Sequence, residues 1–257
     1  MTRVIVCTSG KGGVGKTTLV SNLATTLNDL GEKVIAIDAN LTTPNLGLHL
    51  GYHLAPKTLH DVLRGETKIK NATYTHPLGF SLIPASININ DLKDVDAGRL
   101  PEVTLNLLGK ADYVILDCAA GLGREAISAL SASTEVLVVT NPDLPSVADA
   151  LKTVRVARTT GKTVLGVVVN RVRNREHELA KKEIEEMLDA QVLVEIPEDN
   201  NVSKSIASKI PLVSFNPDSP ASLEMRKLAH ILSNKPFRPK IPRNFRILDR
   251  LVGWMTG

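Results

Sequence analysis

The chain has 257 residues, of which 43% are hydrophobic and only 3% aromatic, and its formal net charge is +4. This length and composition are sufficient for one large α/β domain with a core of valine, isoleucine, leucine and alanine. The mild positive charge does not by itself indicate nucleic-acid binding, because the basic residues are spread over most of the sequence. No apolar run approaches the ~20 residues of a membrane-spanning helix. The sequence opens directly on a strand pattern, and we predict no signal peptide.

The cysteines and histidines show no metal-binding pattern. Cys7 and Cys118 both fall in predicted buried strands, and we expect them to be reduced core residues of an intracellular protein. Without a C-x-x-C motif, iron–sulfur and zinc sites have little support. The histidines, among them His49, His60 and His230, lack ligand spacing, and we expect surface or loop positions for them.

The first predicted elements enclose a glycine-rich loop. A strand over Arg3–Thr8 and a helix over residues 16–30 flank the run Gly10-Lys11-Gly12-Gly13-Val14-Gly15-Lys16-Thr17-Thr18. This order is typical of a phosphate-binding loop, in which backbone N–H groups and the helix N-terminus face a phosphate chain. Lys16 would contact the β- and γ-phosphates of a nucleoside triphosphate, and Thr17 would bind Mg²⁺.

Further along the chain, apolar strand patterns alternate with helical patterns. Strands are predicted over residues 33–38, 80–84, 112–117, 135–140, 163–170 and 192–196, and helices over residues 145–159, 175–189 and 219–233. The strands are rich in valine and isoleucine on both faces, which indicates a sheet covered on both sides. We therefore predict an α/β fold with a doubly wound, mainly parallel sheet that is flanked by helices on both faces.

Three polar residues stand at or just beyond predicted strand ends, where ligands bind in such folds: Asp38, Asp117 and Asn170. Asp117 would hold a Mg²⁺-bound water, and Asp38 would also face the magnesium shell. Gly121 could bring its N–H to the γ-phosphate and so report whether that phosphate is present. A strand-capping aspartate and a turn glycine are the structural alternatives for Asp117 and Gly121.

Lys11 is not required by the phosphate-loop pattern, and beside a triphosphate it is a second cation in a loop that Lys16 already serves. With this lysine, the loop resembles the deviant Walker A loop of the MinD/ParA family of dimeric ATPases, and is most similar to archaeal MinD-like proteins. The resemblance covers residues 1 to about 233. It extends to Ile37-Asp38-Ala39-Asn40, Asn45-Leu46-Gly47-Leu48, Leu116-Asp117-Cys118-Ala119-Ala120-Gly121, Thr140-Asn141-Pro142-Asp143, Asn170-Arg171 and Pro197-Glu198-Asp199.

The resemblance implies ATP and Mg²⁺ as ligands and an ATP-dependent sandwich homodimer. Lys11 would cross to the phosphates of the second subunit, and Asp149 matches a family position near the dimer interface. Asn170 and the loop near Pro197 would contact adenine. The nucleotide contacts implied in this part of the chain are Asn170, Arg171, Pro197, Glu198 and Asp199.

Asn40 departs from the family pattern, which usually has a second aspartate in the first switch segment. That aspartate is taken to position and deprotonate the attacking water, and an amide cannot act as a base. Asn40 could still orient water, as a glutamine does in some GTPases. We therefore expect intact ATP binding and slow hydrolysis. The residues implied in catalysis are Lys11, Lys16, Asp38 and Asn40.

The end of the sequence differs from the rest. Residues 1–233 are predicted as the ATPase domain, residues 234–244 as a proline-rich basic linker, and residues 245–257 as an amphipathic helix. From Phe245 to Thr256 the helix would be about 18 Å long at ~1.5 Å per residue, too short for the ~30 Å hydrocarbon core but long enough to lie in the interface. A helix docked on the protein's own core is the alternative. The predicted membrane contacts are Phe245, Leu248, Leu251, Val252, Trp254 and Met255.

These features together predict a MinD-like switch in which ATP drives dimerisation and two helices then bind anionic lipid with avidity. We expect a cytoplasmic protein that is reversibly associated with the inner face of the cell membrane and positions an unidentified partner or activator protein. The alternatives are a ParA-like DNA-segregation ATPase and a non-hydrolysing, ATP-bound scaffold. The tail argues against DNA binding, and Asn40 is the residue that suggests the scaffold.

Overall fold

A computed structural model describes residues 1–237 of the chain. The predicted C-terminal helix, residues 245–257, and most of the predicted linker lie outside these residues. Within residues 1–237, no helix is both long and apolar enough to cross a bilayer.

The described residues form eight strands and ten α-helices. The strands are β1 Arg3–Thr8, β2 Val34–Ala39, β3 Tyr74–Thr75, β4 Ser81–Ile83, β5 Tyr113–Cys118, β6 Glu135–Thr140, β7 Thr163–Val172 and β8 Val192–Pro197. The helices are α1 Lys16–Asp29, α2 Leu46–His49, α3 Leu59–Leu63, α4 Leu100–Leu105, α5 Arg124–Ala132, α6 Leu144–Thr159, α7 Lys181–Leu188, α8 Asn201–Ala207, α9 Leu212–Phe215 and α10 Pro220–Leu232. Three short 3-10 helices cover Ile69–Ala72, Ile89–Leu92 and Ala97–Arg99.

All eight strands join one sheet in the order β3-β4-β2-β5-β1-β6-β7-β8. Every neighbouring pair is parallel except β3 and β4, which are antiparallel at one edge. Along β1, Val4 and Val6 enter one apolar cluster, while Ile5 and Cys7 enter a second cluster on the opposite face. Alternate residues of a strand point to opposite faces, so both faces of the sheet are covered. The predicted fold class is confirmed.

The two cysteines are free and buried, as predicted. Burial raises the pKa of Cys118 to about 12 and raises that of Cys7 still further above its ordinary value. Both side chains therefore remain protonated thiols that pack in the core.

Two local predictions were wrong. The helix predicted over residues 175–189 begins only at Lys181. The Glu178 carboxylate accepts hydrogen bonds from the backbone N–H groups of Arg173 and Arg175, at 3.0 and 3.4 Å, and so folds the preceding segment as a turn. His60 is not a surface or loop residue, because its side chain lies fully buried on α3.

Candidate nucleotide site

The glycine loop lies between β1 and α1, at the carboxyl end of the central strand. Gly13 and Gly15 have φ values of +78° and +99°, a backbone region that glycine enters without strain. A Cβ atom on Gly15 would lie 2.3 Å from the Asn170 amide nitrogen. That nitrogen donates a hydrogen bond of 2.7 Å to the carbonyl of Val14. The end of β7 therefore supports the loop directly, which places Asn170 in the site.

Lys16 is held within the loop. Its side chain is buried, and its Nζ atom donates to the Ser9 hydroxyl at 2.9 Å, while that hydroxyl donates to the Lys11 carbonyl at 2.7 Å. Burial lowers the pKa of Lys16, and the nearby Asp117 carboxylate opposes this effect. A phosphate group would provide the buried cation with the negative charge that favours its protonated form.

Asp38 and Asp117 lie side by side at the ends of β2 and β5, where they are register partners. Both are buried. Burial raises the pKa of Asp38 well above its ordinary value, and the neighbouring Asp117 charge raises it further. Backbone N–H groups of Leu46 and Asn40 donate to the Asp38 carboxylate at 2.9 and 3.3 Å and partly offset this effect.

Neither carboxylate oxygen of Asp117 has a hydrogen-bond partner among the described residues. Burial raises the pKa of Asp117 to about 6, although the Thr17 hydroxyl and the Lys16 charge lie close enough to lower it. An unpartnered buried carboxylate is costly, and Mg²⁺ prefers oxygen ligands. The residues therefore fit a magnesium ion, with Thr17 as a ligand and Asp117 holding its water shell. Bound there, Mg²⁺ would neutralise charge on the phosphates.

Mg²⁺-dependent nucleotide binding is expected to weaken about tenfold for each pH unit below about 6, because protons and Mg²⁺ compete for the Asp117 carboxylate. Above that pH the carboxylate is already ionised, and the dependence on this group vanishes. Titration calorimetry with Mg-ADP between about pH 5 and 8 measures the effect. Asp117→Asn is the control, since it loses the titration of Asp117 and retains that of Asp38 and of the nucleotide. Equal slopes for the two proteins would contradict the prediction.

Two adjoining cavities open beside the loop. One has a volume of about 340 Å³ and is lined by Gly12, Gly13, Gly15, Lys16, Thr17, Thr18, Asn40, Thr43, Asn45, His49, Cys118, Ala120, Arg171 and Ile206. The other has a volume of about 270 Å³ and is lined by Gly15, Thr18, Asn170, Arg171, Pro197, Glu198, Asp199, Val202, Ser203 and Met225. Because Gly15, Thr18 and Arg171 line both, the first cavity suits a phosphate chain and the second suits a nucleoside.

Other predicted site residues lie at the margin of these cavities. Lys11 is exposed and lines neither of them. The backbone N–H of Gly121 donates to the Ser9 carbonyl at 2.8 Å, so a contact with a γ-phosphate would require that bond to open. Gly10 lies so close to α6 that a Cβ atom there would stand 2.3 Å from the carbonyl carbon of Asp149.

The Asn40 side chain lines the phosphate cavity, but it forms its hydrogen bonds with a residue of its own loop. Its amide nitrogen donates to the Thr43 carbonyl at 2.6 Å, and its amide oxygen accepts from the Thr43 N–H and hydroxyl at 3.3 and 3.1 Å. The side chain is thus engaged on both its donor and acceptor atoms. Sequence reasoning missed this contact, and it also missed Thr43 and His49 as lining residues.

The glycine loop after β1, the buried lysine and the two strand-end carboxylates define a phosphate-loop nucleotide-binding protein built on a doubly wound sheet. A model of the CobQ/CobB/MinD/ParA nucleotide binding domain family matches residues 5–212. The chain belongs to this family.

Proteins of known sequence or structure agree with this assignment. An uncharacterized ATP-binding protein of Methanocaldococcus jannaschii is 37% identical over 243 residues, which are 95% of this chain and 92% of the relative. The septum site-determining protein MinD of Pyrococcus horikoshii, complexed with Mg-ADP, is 36% identical, with a TM-score of 0.88 over 90% of this chain and 96% of that chain. The MinC:MinD cell division protein complex of Aquifex aeolicus contains a chain that is 30% identical, with a TM-score of 0.82 over 93% and 99%. The predicted resemblance is confirmed: this is a MinD/ParA-family ATPase with MinD cell-division homologues.

Proposed function

We propose that the protein is an ATP-dependent attachment switch. ATP and Mg²⁺ bind at the glycine loop, ATP-bound chains form a homodimer, and the dimer attaches to the cytoplasmic face of an anionic membrane, where it positions a partner protein. The observation that carries this proposal is the buried Lys16 beside the unpartnered Asp117 carboxylate, next to a cavity of about 340 Å³. The relative complexed with Mg-ADP supports the ligand, and the MinC:MinD complex supports a protein partner.

Lys11 supports the dimer step. A second lysine in the loop that is exposed and lies outside both cavities of its own subunit is available to a triphosphate on another subunit. Large apolar side chains are exposed on segments adjoining the site. Leu122 follows Gly121 and is 38% exposed, and Leu144 begins α6 and is 58% exposed. On the proposed function, both leucines are available for contact with a second subunit.

The membrane step rests on the sequence of residues 245–257, which lie outside the described residues. We propose the same division as above, with residues 1–233 as the ATPase domain, 234–244 as the linker and 245–257 as the lipid-binding helix. One short amphipathic helix binds lipid weakly, and two helices in one dimer bind with avidity because the second contact is intramolecular. Loss of the γ-phosphate would dissolve the dimer and release both helices.

Co-sedimentation with anionic liposomes tests the whole scheme. The full chain should pellet with Mg-ATP and remain in the supernatant with Mg-ADP, because only the dimer binds with avidity. A variant truncated after Asn234 should lose lipid binding and keep ATP binding. Pelleting that ignores the nucleotide, or a truncated protein that still pellets, would contradict the switch. Salt-sensitive, ATP-dependent retention on DNA would instead favour a DNA-segregation ATPase.

Slow hydrolysis is part of the proposal, and Asn40→Asp is expected to raise the hydrolysis rate by about tenfold to a hundredfold. A carboxylate supplies the base that the amide lacks, and general-base catalysis contributes this much or more. The variant also loses the donor that binds the Thr43 carbonyl, which loosens the loop. Phosphate release at saturating ATP is the measurement. If Asn40→Asp left the hydrolysis rate unchanged, the hypothesis would be wrong. Wild-type dimers that persist with intact ATP would instead favour the scaffold.

A further inference from the structure

The carboxylate of Glu125 joins two loops that flank the phosphate cavity. Glu125 lies in the first turn of α5, just after the loop that contains Gly121. Its carboxylate accepts hydrogen bonds from the backbone N–H groups of Leu41 and Thr42 at 2.9 and 3.3 Å, and from the Thr42 hydroxyl. Leu41 and Thr42 belong to the loop after β2, which we call the first loop (residues 40–45). The loop after β5, residues 119–123, is the second loop.

Other hydrogen bonds of the first loop are made to α3 and within the loop itself. His60 is buried, and its Nδ1 atom accepts from the Ser86 N–H at 3.0 Å, so Nε2 carries the proton and donates to the Leu41 carbonyl at 3.2 Å. Asn40 is bonded to Thr43 through both ends of its amide. These hydrogen bonds give the first loop a defined shape in which Leu41 is the residue bonded to both His60 and Glu125.

The second loop is fastened to the glycine loop. The Gly121 N–H donates to the Ser9 carbonyl, and the Ser9 hydroxyl accepts from Lys16. A γ-phosphate would compete for both donors, since Lys16 and the N–H groups of the loops are the groups that bind phosphate. Only three residues separate Gly121 from Glu125, and α5 has already begun at Arg124. A shift of Gly121 would therefore act on the short segment that leads to Glu125.

We propose that Glu125 is the positioning residue through which occupancy of the phosphate cavity sets the conformation of the first loop. A partner protein could recognise the conformation of the first loop, because Thr42, Thr43 and Asn45 are exposed. The inference rests on the proposed function, as it deepens the nucleotide switch. The new element is a physical link between the two loops, formed by hydrogen bonds from the backbone of Leu41 and Thr42 to the Glu125 carboxylate.

Hydrogen–deuterium exchange of the full chain with Mg-ADP and with a non-hydrolysable Mg-ATP analogue tests this link. In the wild type, exchange in residues 40–45 should differ between the two nucleotides. Glu125→Ala should abolish that difference and raise exchange at Leu41 and Thr42 by about tenfold or more, because bonds to a charged acceptor are lost. Protection of residues 9–18 by both nucleotides should persist. Glu125→Gln keeps one acceptor oxygen without the charge and should give an intermediate result.

Glu102→Ala is the matched control, since Glu102 also lies in the first turn of a helix but is exposed and only weakly paired with Arg99 at 3.8 Å. It should behave as the wild type. A nucleotide-dependent difference at residues 40–45 that survives in Glu125→Ala would overturn the link, as would a wild type that shows none. Failure of the proposed function is distinct: without nucleotide binding, residues 9–18 would stay unprotected in the wild type itself, and without the membrane switch, liposome pelleting would ignore the nucleotide.

Discussion

Gly10→Ala is expected to lower the free energy of unfolding by about 3 kcal/mol, the upper range for overpacking a well-packed site. A Cβ atom on Gly10 would stand 2.3 Å from the Asp149 carbonyl carbon and 2.4 Å from its oxygen. These are backbone atoms of a sixteen-residue helix, so relief requires moving α6 or the glycine loop. Urea denaturation of the nucleotide-free chain measures the change.

Gly12→Ala is the matched control within the same loop. Apart from Gly12 itself and its two chain neighbours, no residue has an atom within 4 Å of a Cβ atom built on Gly12, and its φ lies outside the left-handed region. Its stability should stay within about 0.5 kcal/mol of the wild type, as for other open surface positions. If the two variants were equally stable, the close approach of the glycine loop to α6 would be wrong. A larger loss in Gly10→Ala supports it.

Lys16→Ala is expected to weaken Mg-ATP binding by about a hundredfold or more. The ammonium group is buried, and removing one partner of a buried charge contact costs ~2–5 kcal/mol, a range that includes this loss. The loss should fall on binding rather than on folding. Burial already lowers the pKa of Lys16, which means that the fold disfavours the charged form of this side chain and gains little stability from it. Fluorescent-nucleotide titration gives the affinity, and thermal melting checks the fold.

Lys11→Ala separates the roles of the two lysines. Because Lys11 is exposed and lines neither cavity, its removal should change the Mg-ATP affinity of dilute protein by less than about threefold. On the proposed function, the same variant should fail to dimerise with ATP in sedimentation or light-scattering measurements. An equal loss of affinity in both variants would assign the two lysines to one subunit's own phosphate site and would remove the main support for the dimer.

The strands and the glycine loop could be predicted from the sequence because each depends on residues that are close together along the chain. β1 and β6 lie where the apolar runs place them, and β7 extends two residues beyond its prediction. The glycine loop is recognisable because its glycines, lysine and threonine must be consecutive to wrap one phosphate chain. The aspartates were predicted to approach the same edge because parallel strands end together, and Asp38 and Asp117 are indeed register partners.

Contacts between distant segments were decided only by the tertiary structure. His60 shows no ligand spacing in the sequence. Its buried ring is satisfied by hydrogen bonds to the backbone of Leu41 and Ser86, which only the fold brings next to it. Glu125 reaches Leu41 across 84 residues of sequence, and no local pattern marks an acid that will accept hydrogen bonds from a remote loop. Local periodicity reports which face of an element is apolar, whereas a hydrogen bond requires the final position of both partners. For this reason the sequence determined the phosphate loop and the sheet, and the packed fold alone determined what holds the loops around it.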